Sequence, residues 1–158
     1  MQGDITIQRL NADDPNAETV AGWTFESWGH LHPGLTLAQA IARLKAECGQ
    51  GGVPSIFVAM QGTIPVGTAS LIADDMSIRP ELTPWLASVF VVPEWRGQGI
   101  ASSLVQQVEE EALENGIQHF YLYTPDQQAL YRRLGWQDVE LVEYRGEQVT
   151  VMARQLVN

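Results

Sequence analysis

The sequence predicts one mixed α/β domain, with a central, mostly antiparallel sheet flanked by helices. Three observations carry this. Short apolar runs of β type recur along the chain, many of them alternating with polar residues. Two of their connections, at Gln61-Gly62 and at Arg145-Gly146-Glu147, are turn signals of the hairpin kind. Only one strand–helix–strand crossover is evident, after the run at 85–92, so a doubly wound parallel sheet is excluded. The whole of residues 1–158 is read as a single domain, because no repeat, low-complexity tract or linker interrupts it. That length buries a sizeable core without disulfide or metal staples.

Each element has a local reason. Ile5 and Ile7 alternate with polar neighbours and predict a first strand over 4–10. Asp13-Asp14-Pro15 opens a helix carrying Val20, Trp23, Phe25 and Trp28, and His30–Gly34 breaks it. Thr36 caps a second helix over 36–48 with Leu37, Ile41 and Leu44 at helical spacing; Gly49–Pro54 ends it. Strands follow at 55–60 and 64–72, then a polar loop over 74–84. This loop reads as an ordinary connection or as a lid facing substrate. Trp85–Val92 is a long strand, 98–115 a helix stopped at Asn115-Gly116, and 118–123 a strand with Phe120 and Leu122 opposite Tyr121 and Tyr123. A short helix over 126–134 closes at Gly135, and strands at 136–145 and 147–156 finish the chain as a sheet edge, with a homodimer left open.

Composition narrows the function classes. The longest apolar runs are a few residues, too short for a membrane span. Residues 1–8 lack the basic and apolar regions of a signal peptide, and Cys48 is the one cysteine, so no internal disulfide forms. Together these place the protein in the cytoplasm. The net charge of −10 repels nucleic acid and anionic membranes and favours cationic ligands, with solubility as its plainer use. His30 and His32, with no Cys or third His nearby, do not make a metal site.

The stretch Val89–Ser102, VFVVPEWRGQGIAS, concentrates the chemistry. An apolar strand is stopped by Pro93, passes through Arg96-Gly97-Gln98-Gly99, and enters a helix with Ile100, Ala101, Leu104, Val105 and Val108 on one side. The first N–H groups of a helix have no intrahelical acceptor and the helix dipole adds positive charge there, so this order makes an anion site. Glycines let backbone approach a phosphate closely. The turn is not a P-loop, lacking Gly-Lys-Ser/Thr, nor a dinucleotide fingerprint, since Ser102 stands where the last glycine belongs. On glycine spacing alone, a plain strand-to-helix turn explains it equally well.

Arg96–Ala101 matches the Gln/Arg-x-x-Gly-x-Gly/Ala signature of the GNAT N-acetyltransferases. Ala129–Trp136, ALYRRLGW, resembles that family's LYxxLGF segment, with Trp136 in the aromatic place. The order of elements over about 55–156 is similar as well. The resemblance implies the acyl-CoA N-acyltransferase fold, acetyl-CoA as cosubstrate and no metal. It implies that the backbone of Val89, Phe90 and Val91 binds the pantetheine arm, with a strand N–H polarising the thioester carbonyl. It implies that the amides of Gly97, Gln98, Gly99, Ile100, Ala101 and Ser102 hold the pyrophosphate, with Arg96 adding charge. Tyr131 takes the place of the acid that protonates the departing thiolate. Thr124 stands where many members carry a pantetheine-bonding asparagine, and Thr124–Gln127 resembles a subset that includes N-terminal acetyltransferases acting on actin. Arg132-Arg133 either meets the 3′-phosphate of CoA or salt-bridges to the acidic surface.

The resemblance therefore implies an enzyme that moves an acetyl group from acetyl-CoA directly to a primary amine. Cys48, far in sequence from the site, gives no reason for a covalent intermediate. The acidic balance favours a small cationic metabolite or antibiotic as acceptor. A protein or peptide N-terminus or lysine, and a non-catalytic CoA-binding sensor, are the rivals. Glu81, near the start of the central strand, is the first candidate for the base, acting through water; a solvated surface carboxylate is its other reading. His119 is either a base or a structural histidine. His30, His32 and Trp28 sit where the first two helices would form the acceptor site.

Overall fold

The computed structural model describes residues 4–156. The ends of the expected 1–158 domain, residues 1–3 and 157–158, lie outside the described residues. The elements are β1 (Ile5–Arg9), α1 (Asn16–Trp28), α2 (Leu37–Ala46), β2 (Ser55–Gln61), β3 (Ile64–Ile72), β4 (Trp85–Val91), α3 (Ile100–Glu114), β5 (His119–Thr124), α4 (Gln128–Arg133), β6 (Gln137–Tyr144) and β7 (Glu147–Gln155). One seven-stranded sheet runs in the order β1-β2-β3-β4-β5-β7-β6. Every pairing is antiparallel except β4 with β5. The mixed, mostly antiparallel architecture is the expected one. The last hairpin folds so that β7 lies inside against β5 and β6 alone forms the edge.

Local chemistry sets the boundaries. Thr36 and Gln39 form a reciprocal capping box: the Gln39 N–H donates to Thr36 Oγ1 at 3.1 Å, and the Thr36 N–H donates to Gln39 Oε1 at 2.9 Å. The Asn16 N–H donates to Asp14 Oδ1 at 2.9 Å at the start of α1. After β4, Pro93–Trp95 makes one 3₁₀ turn, and α3 begins at Ile100, two residues later than expected. The reason is backbone handedness. Gly97 and Gly99 adopt φ of +80° and +82°, which a right-handed helix cannot include.

The sheet is buried on both faces. Along β2, Phe57 and Ala59 join the cluster beneath α3, while Ile56, Val58 and Met60 join the cluster beneath α1 and α2. This period of two explains why SIFVAM reads as one continuous apolar run. From α3, Ile100, Leu104, Val105, Val108 and Ala112 pack on the first of these faces. Gly67 of β3 makes that contact close. A β-carbon there would lie 3.0 Å from the Phe90 carbonyl oxygen and 3.1 Å from Leu104 Cδ1. The N-terminus of α3 is therefore seated directly against the end of β4.

Candidate active site

The site begins with a failure of pairing. β4 and β5 run parallel and pair at a single position, Trp85 with Tyr121, where the Tyr121 N–H donates to the Pro84 carbonyl at 3.1 Å. Beyond it the two strands separate. Opposite, on the β3 side, β4 carries a bulge: Ala87 pairs with Ser70 and Phe90 with Thr68, so Ser88 and Val89 face one residue of β3. Ser88 takes φ +56°, rare for a residue with a side chain. The splay and the bulge turn the β5-facing edge of β4 from a ladder into the wall of a cleft of about 1220 Å³.

That cleft collects most of the residues singled out from the sequence. Val89, Phe90, Val91, Arg96, Gly97, Gly99, Ile100, Ala101, Ser102, Thr124 and Tyr131 all line it. Gln98 is exposed and is not part of the lining. The first α-helical bond of α3 runs from the Ser103 N–H to the Gly99 carbonyl at 3.1 Å, so the amides before Ser103 have no intrahelical acceptor. Open space surrounds the α-carbons of Gly97 and Gly99, so backbone conformation rather than crowding demands glycine there. These groups fit a pyrophosphate, and the unpaired edge of β4 fits an extended amide-bearing arm. Arg96 does more than supply charge. Its Nε donates to the Val91 carbonyl at 2.8 Å and its guanidinium lies 5.6 Å from the Phe90 ring centroid, pinning the turn to the strand end.

Tyr131 of α4 is 6 % exposed and lines the cleft. Burial, with Asp126 adding to it, pushes its phenol up to about 12. Thr124 performs a structural task at the end of β5: its Oγ1 accepts from the N–H of Gln127 at 3.0 Å and of Asp126 at 3.4 Å, closing the turn that leads into α4. Its hydroxyl sets the position of Tyr131. Arg132 pairs with Asp138 through two bonds of 3.0 and 2.7 Å on the exposed surface, whereas Arg133 lines the cleft.

A second cavity of about 580 Å³ adjoins the first. It lies between α1, α2 and the loop after β3, and Glu47, Asp74 and Asp75 outnumber Arg43 and Arg145 on its walls. Trp28, His32, Asp75, Ser88, Tyr123, Tyr144 and Arg145 line both spaces, so the two meet at the β4 bulge. Phe90 holds α1 here through Trp23 and Trp28, with ring centroids 5.5 and 6.5 Å apart. The Tyr144 hydroxyl accepts from the Ser77 N–H at 3.1 Å and ties the loop to β6. Burial, with Glu47 adding to it, pushes the Asp75 carboxyl up to about 8 against the pull of Arg145. Burial raises Glu47 as well, against Arg43.

Other expected residues are not brought here. Glu81 is exposed in the turn before β4 and lines neither cavity. His119 is exposed at the start of β5, edge-on to Tyr121, also off the cleft. Cys48 lies in the cluster beneath α1 and α2, and burial pushes its thiol up to about 11. Ser88, Asp75, Tyr144 and Arg145 were missed. The 74–84 loop as a possible substrate-facing segment was the one available signal for Asp75.

Known proteins resemble this chain in sequence and in fold. Thialysine N-ε-acetyltransferase of Sus scrofa is 38 % identical over 63 residues, covering 37 % of this chain and 37 % of its own length. The bovine protein of that name matches to the same extent. The chain thus spans little more than a third of the curated relatives it matches. Among solved structures, an aminoglycoside 6′-N-acetyltransferase complexed with coenzyme A superposes with a TM-score of 0.74 at 15 % identity, over 97 % of this chain and 98 % of that one. PaiA N-acetyltransferase from Thermoplasma acidophilum, in complex with coenzyme A, gives 0.69 at 19 % identity over 96 % and 99 %. These last two share the fold. The sequence profile of the acetyltransferase (GNAT) family matches residues 17–136, from the first turn of α1 through the strand, glycine turn and tyrosine helix that enclose the cleft. With most of its length matched, the chain belongs to the GNAT acetyltransferase family.

Proposed function

We propose that the protein transfers an acetyl group from acetyl-CoA directly to a primary amine of a small cationic metabolite or antibiotic. The observation that carries this is the meeting of two cavities at the Ser88 bulge: one ends at unpaired helix amides and the other carries Glu47, Asp74 and Asp75 among its lining. Coenzyme A bound in two structural neighbours supports the donor. Acetyl-CoA supplies a thioester carbonyl open to attack. The amides of Gly97 and of Gly99 to Ser102 hold the donor's pyrophosphate, and Gln98 spans the exposed outer side of the turn between them. The backbone of Val89, Phe90 and Val91 aligns its arm, and a bulge amide polarises the carbonyl. Thr124 holds the turn that presents Tyr131, and Tyr131 protonates the departing sulfur. Cys48 takes no part, since it lines neither cavity and burial holds it as a thiol.

Glu47, Asp74 and Asp75 offer carboxyl oxygens to an amine in the acceptor cavity, in line with the amine named for the thialysine acetyltransferases, and the net charge of −10 favours a cation. The test is purified protein with acetyl-CoA and a panel of polyamines, aminoglycosides, basic amino acids and peptides, read by free-thiol release and product mass. Thiol release with a small cationic amine is expected. Acetylation of peptides alone would overturn the small-molecule acceptor. Tight acetyl-CoA binding with no turnover on any amine would make the protein a sensor.

A further inference from the structure

We propose that Asp75 is the catalytic base that takes the proton from the incoming amine. This inference rests on the acetyl-transfer reading and assigns the role that Glu81, away from both cavities, is not placed to fill. An amine entering from the second cavity meets the thioester where the two cavities join. Of the carboxylates, Asp75 alone among the described residues lines both. It is half-buried, and among the described residues none hydrogen-bonds its carboxylate, which leaves both oxygens free for a substrate ammonium.

The other groups at the junction are less suited. The Tyr144 hydroxyl is engaged by Ser77. Burial and Asp75 hold the proton on Tyr123. Arg145 is permanently charged. His32 is the real rival. Burial, Arg145 and Arg43 lower its pKa, so it is neutral and able to accept a proton, but the same two guanidiniums repel an arriving ammonium from it. Asp75 faces Glu47 at the end of α2, Tyr123 of β5, and Tyr144 and Arg145 of the β6–β7 hairpin; Glu147 lies beyond Tyr123. Only Arg145 opposes its raised pKa of about 8. A base of that strength both accepts a proton from an amine and returns it to water.

The substrate ammonium gives one proton to the Asp75 carboxylate and becomes a neutral amine. The amine nitrogen bonds to the thioester carbon as the carbon–sulfur bond breaks. The sulfur takes a proton from Tyr131, the nitrogen's surplus proton returns to Tyr131 through water, and Asp75 releases its proton to solvent. The products are an amide, CoA as the free thiol and one proton.

The experiment compares wild type, Asp75→Asn, Asp75→Glu and His32→Gln across a pH series. Two probe acceptors are used: 1,4-diaminobutane, protonated at neutral pH, and hydroxylamine, largely neutral there. Wild-type kcat/KM with the diamine is expected to rise through about pH 8. Asp75→Asn is expected to remove that rise and lower kcat/KM about 10²–10³-fold with the diamine, and far less with hydroxylamine. Asp75→Glu is expected to restore part of the loss, and His32→Gln to keep the rise. Acetyl-CoA affinity, unchanged in every variant, shows that the fold is intact. Equal losses with both probes, or a rise that disappears in His32→Gln and persists in Asp75→Asn, would overturn the assignment. Wild type that binds acetyl-CoA and acetylates neither probe nor any other amine of the wider panel would overturn the acetyl-transfer reading, and the role of Asp75 with it.

Discussion

The Tyr131 phenol and the Asp75 carboxyl are pushed in the same direction by burial, with opposite consequences. A phenol raised to about 12 keeps its proton through neutral pH and is always ready to donate. A carboxyl raised to about 8 carries a proton at neutral pH and becomes an effective base as the pH rises. Tyr131→Phe removes one oxygen from a well-packed ring in contact with Trp136, so folding and acetyl-CoA affinity are expected to persist. Turnover is expected to fall about 10²-fold, and wild-type kcat to show no descending limb for as far into alkali as the protein stays folded. Steady-state kinetics with calorimetric binding checks both, and a loss of binding would contradict the acid role. The two residues also differ in how far the sequence revealed them. Tyr131 sits in a segment whose pattern, ALYRRLGW, is compact and specific. Asp75 looks like any polar loop residue, because its burial is created by α2 and the β6–β7 hairpin, distant in the chain.

At the scale of elements, the strand–turn–helix from β4 to α3 was legible because every signal in it is local. Pro93 stops the strand, two glycines take left-handed φ, and the apolar spacing of α3 follows at once. The cleft itself was not legible, since it comes from a single parallel pairing between strands separated by a helix and from a bulge set against β3. A run of alternating residues carries no mark of where a neighbouring strand will leave it. Gly99→Ala tests the turn directly. Nothing lies within 4 Å of the added methyl, so the substitution opposes only φ +82° and not the packing. The left-handed cost of about 1–2 kcal/mol is expected to appear as roughly tenfold weaker acetyl-CoA binding. Titration calorimetry measures it, and an unchanged affinity would remove this turn from the donor site.

For the whole molecule, the cleft depends on α3 staying in place, and Glu111 anchors its far end to two other parts of the chain, β1 and the loop before β2, as well as to the helix's own C-cap. Its Oε1 accepts from Arg9 of β1 at 2.6 Å, and its Oε2 accepts from the Gly52 N–H at 2.7 Å and from Asn115 at 3.0 Å. Arg9 in turn donates to Ser55 at the start of β2. Burial alone would raise the Glu111 carboxyl; the Gly52 amide, Arg9 and Asn115 outweigh it and hold the group below its ordinary value. A depressed folded-state pKa contributes stability that is fully present above the unfolded value and is lost as pH falls through the folded one. Glu111→Gln keeps the shape and removes the charge, leaving Arg9 without its partner. Breaking a buried ion pair costs about 3–5 kcal/mol. The Arg9 side chain is 24 % exposed, which puts the loss at about 3 kcal/mol, or roughly 6–12 °C in Tm for a domain of this size. Thermal melts of both proteins from neutral pH into the acid range check this. Wild type is expected to lose its advantage over the variant as the pH drops and Glu111 protonates, so the two curves converge. A gap that stays constant down the series would mean that the charge of Glu111 is not what fastens α3 to β1 and β2.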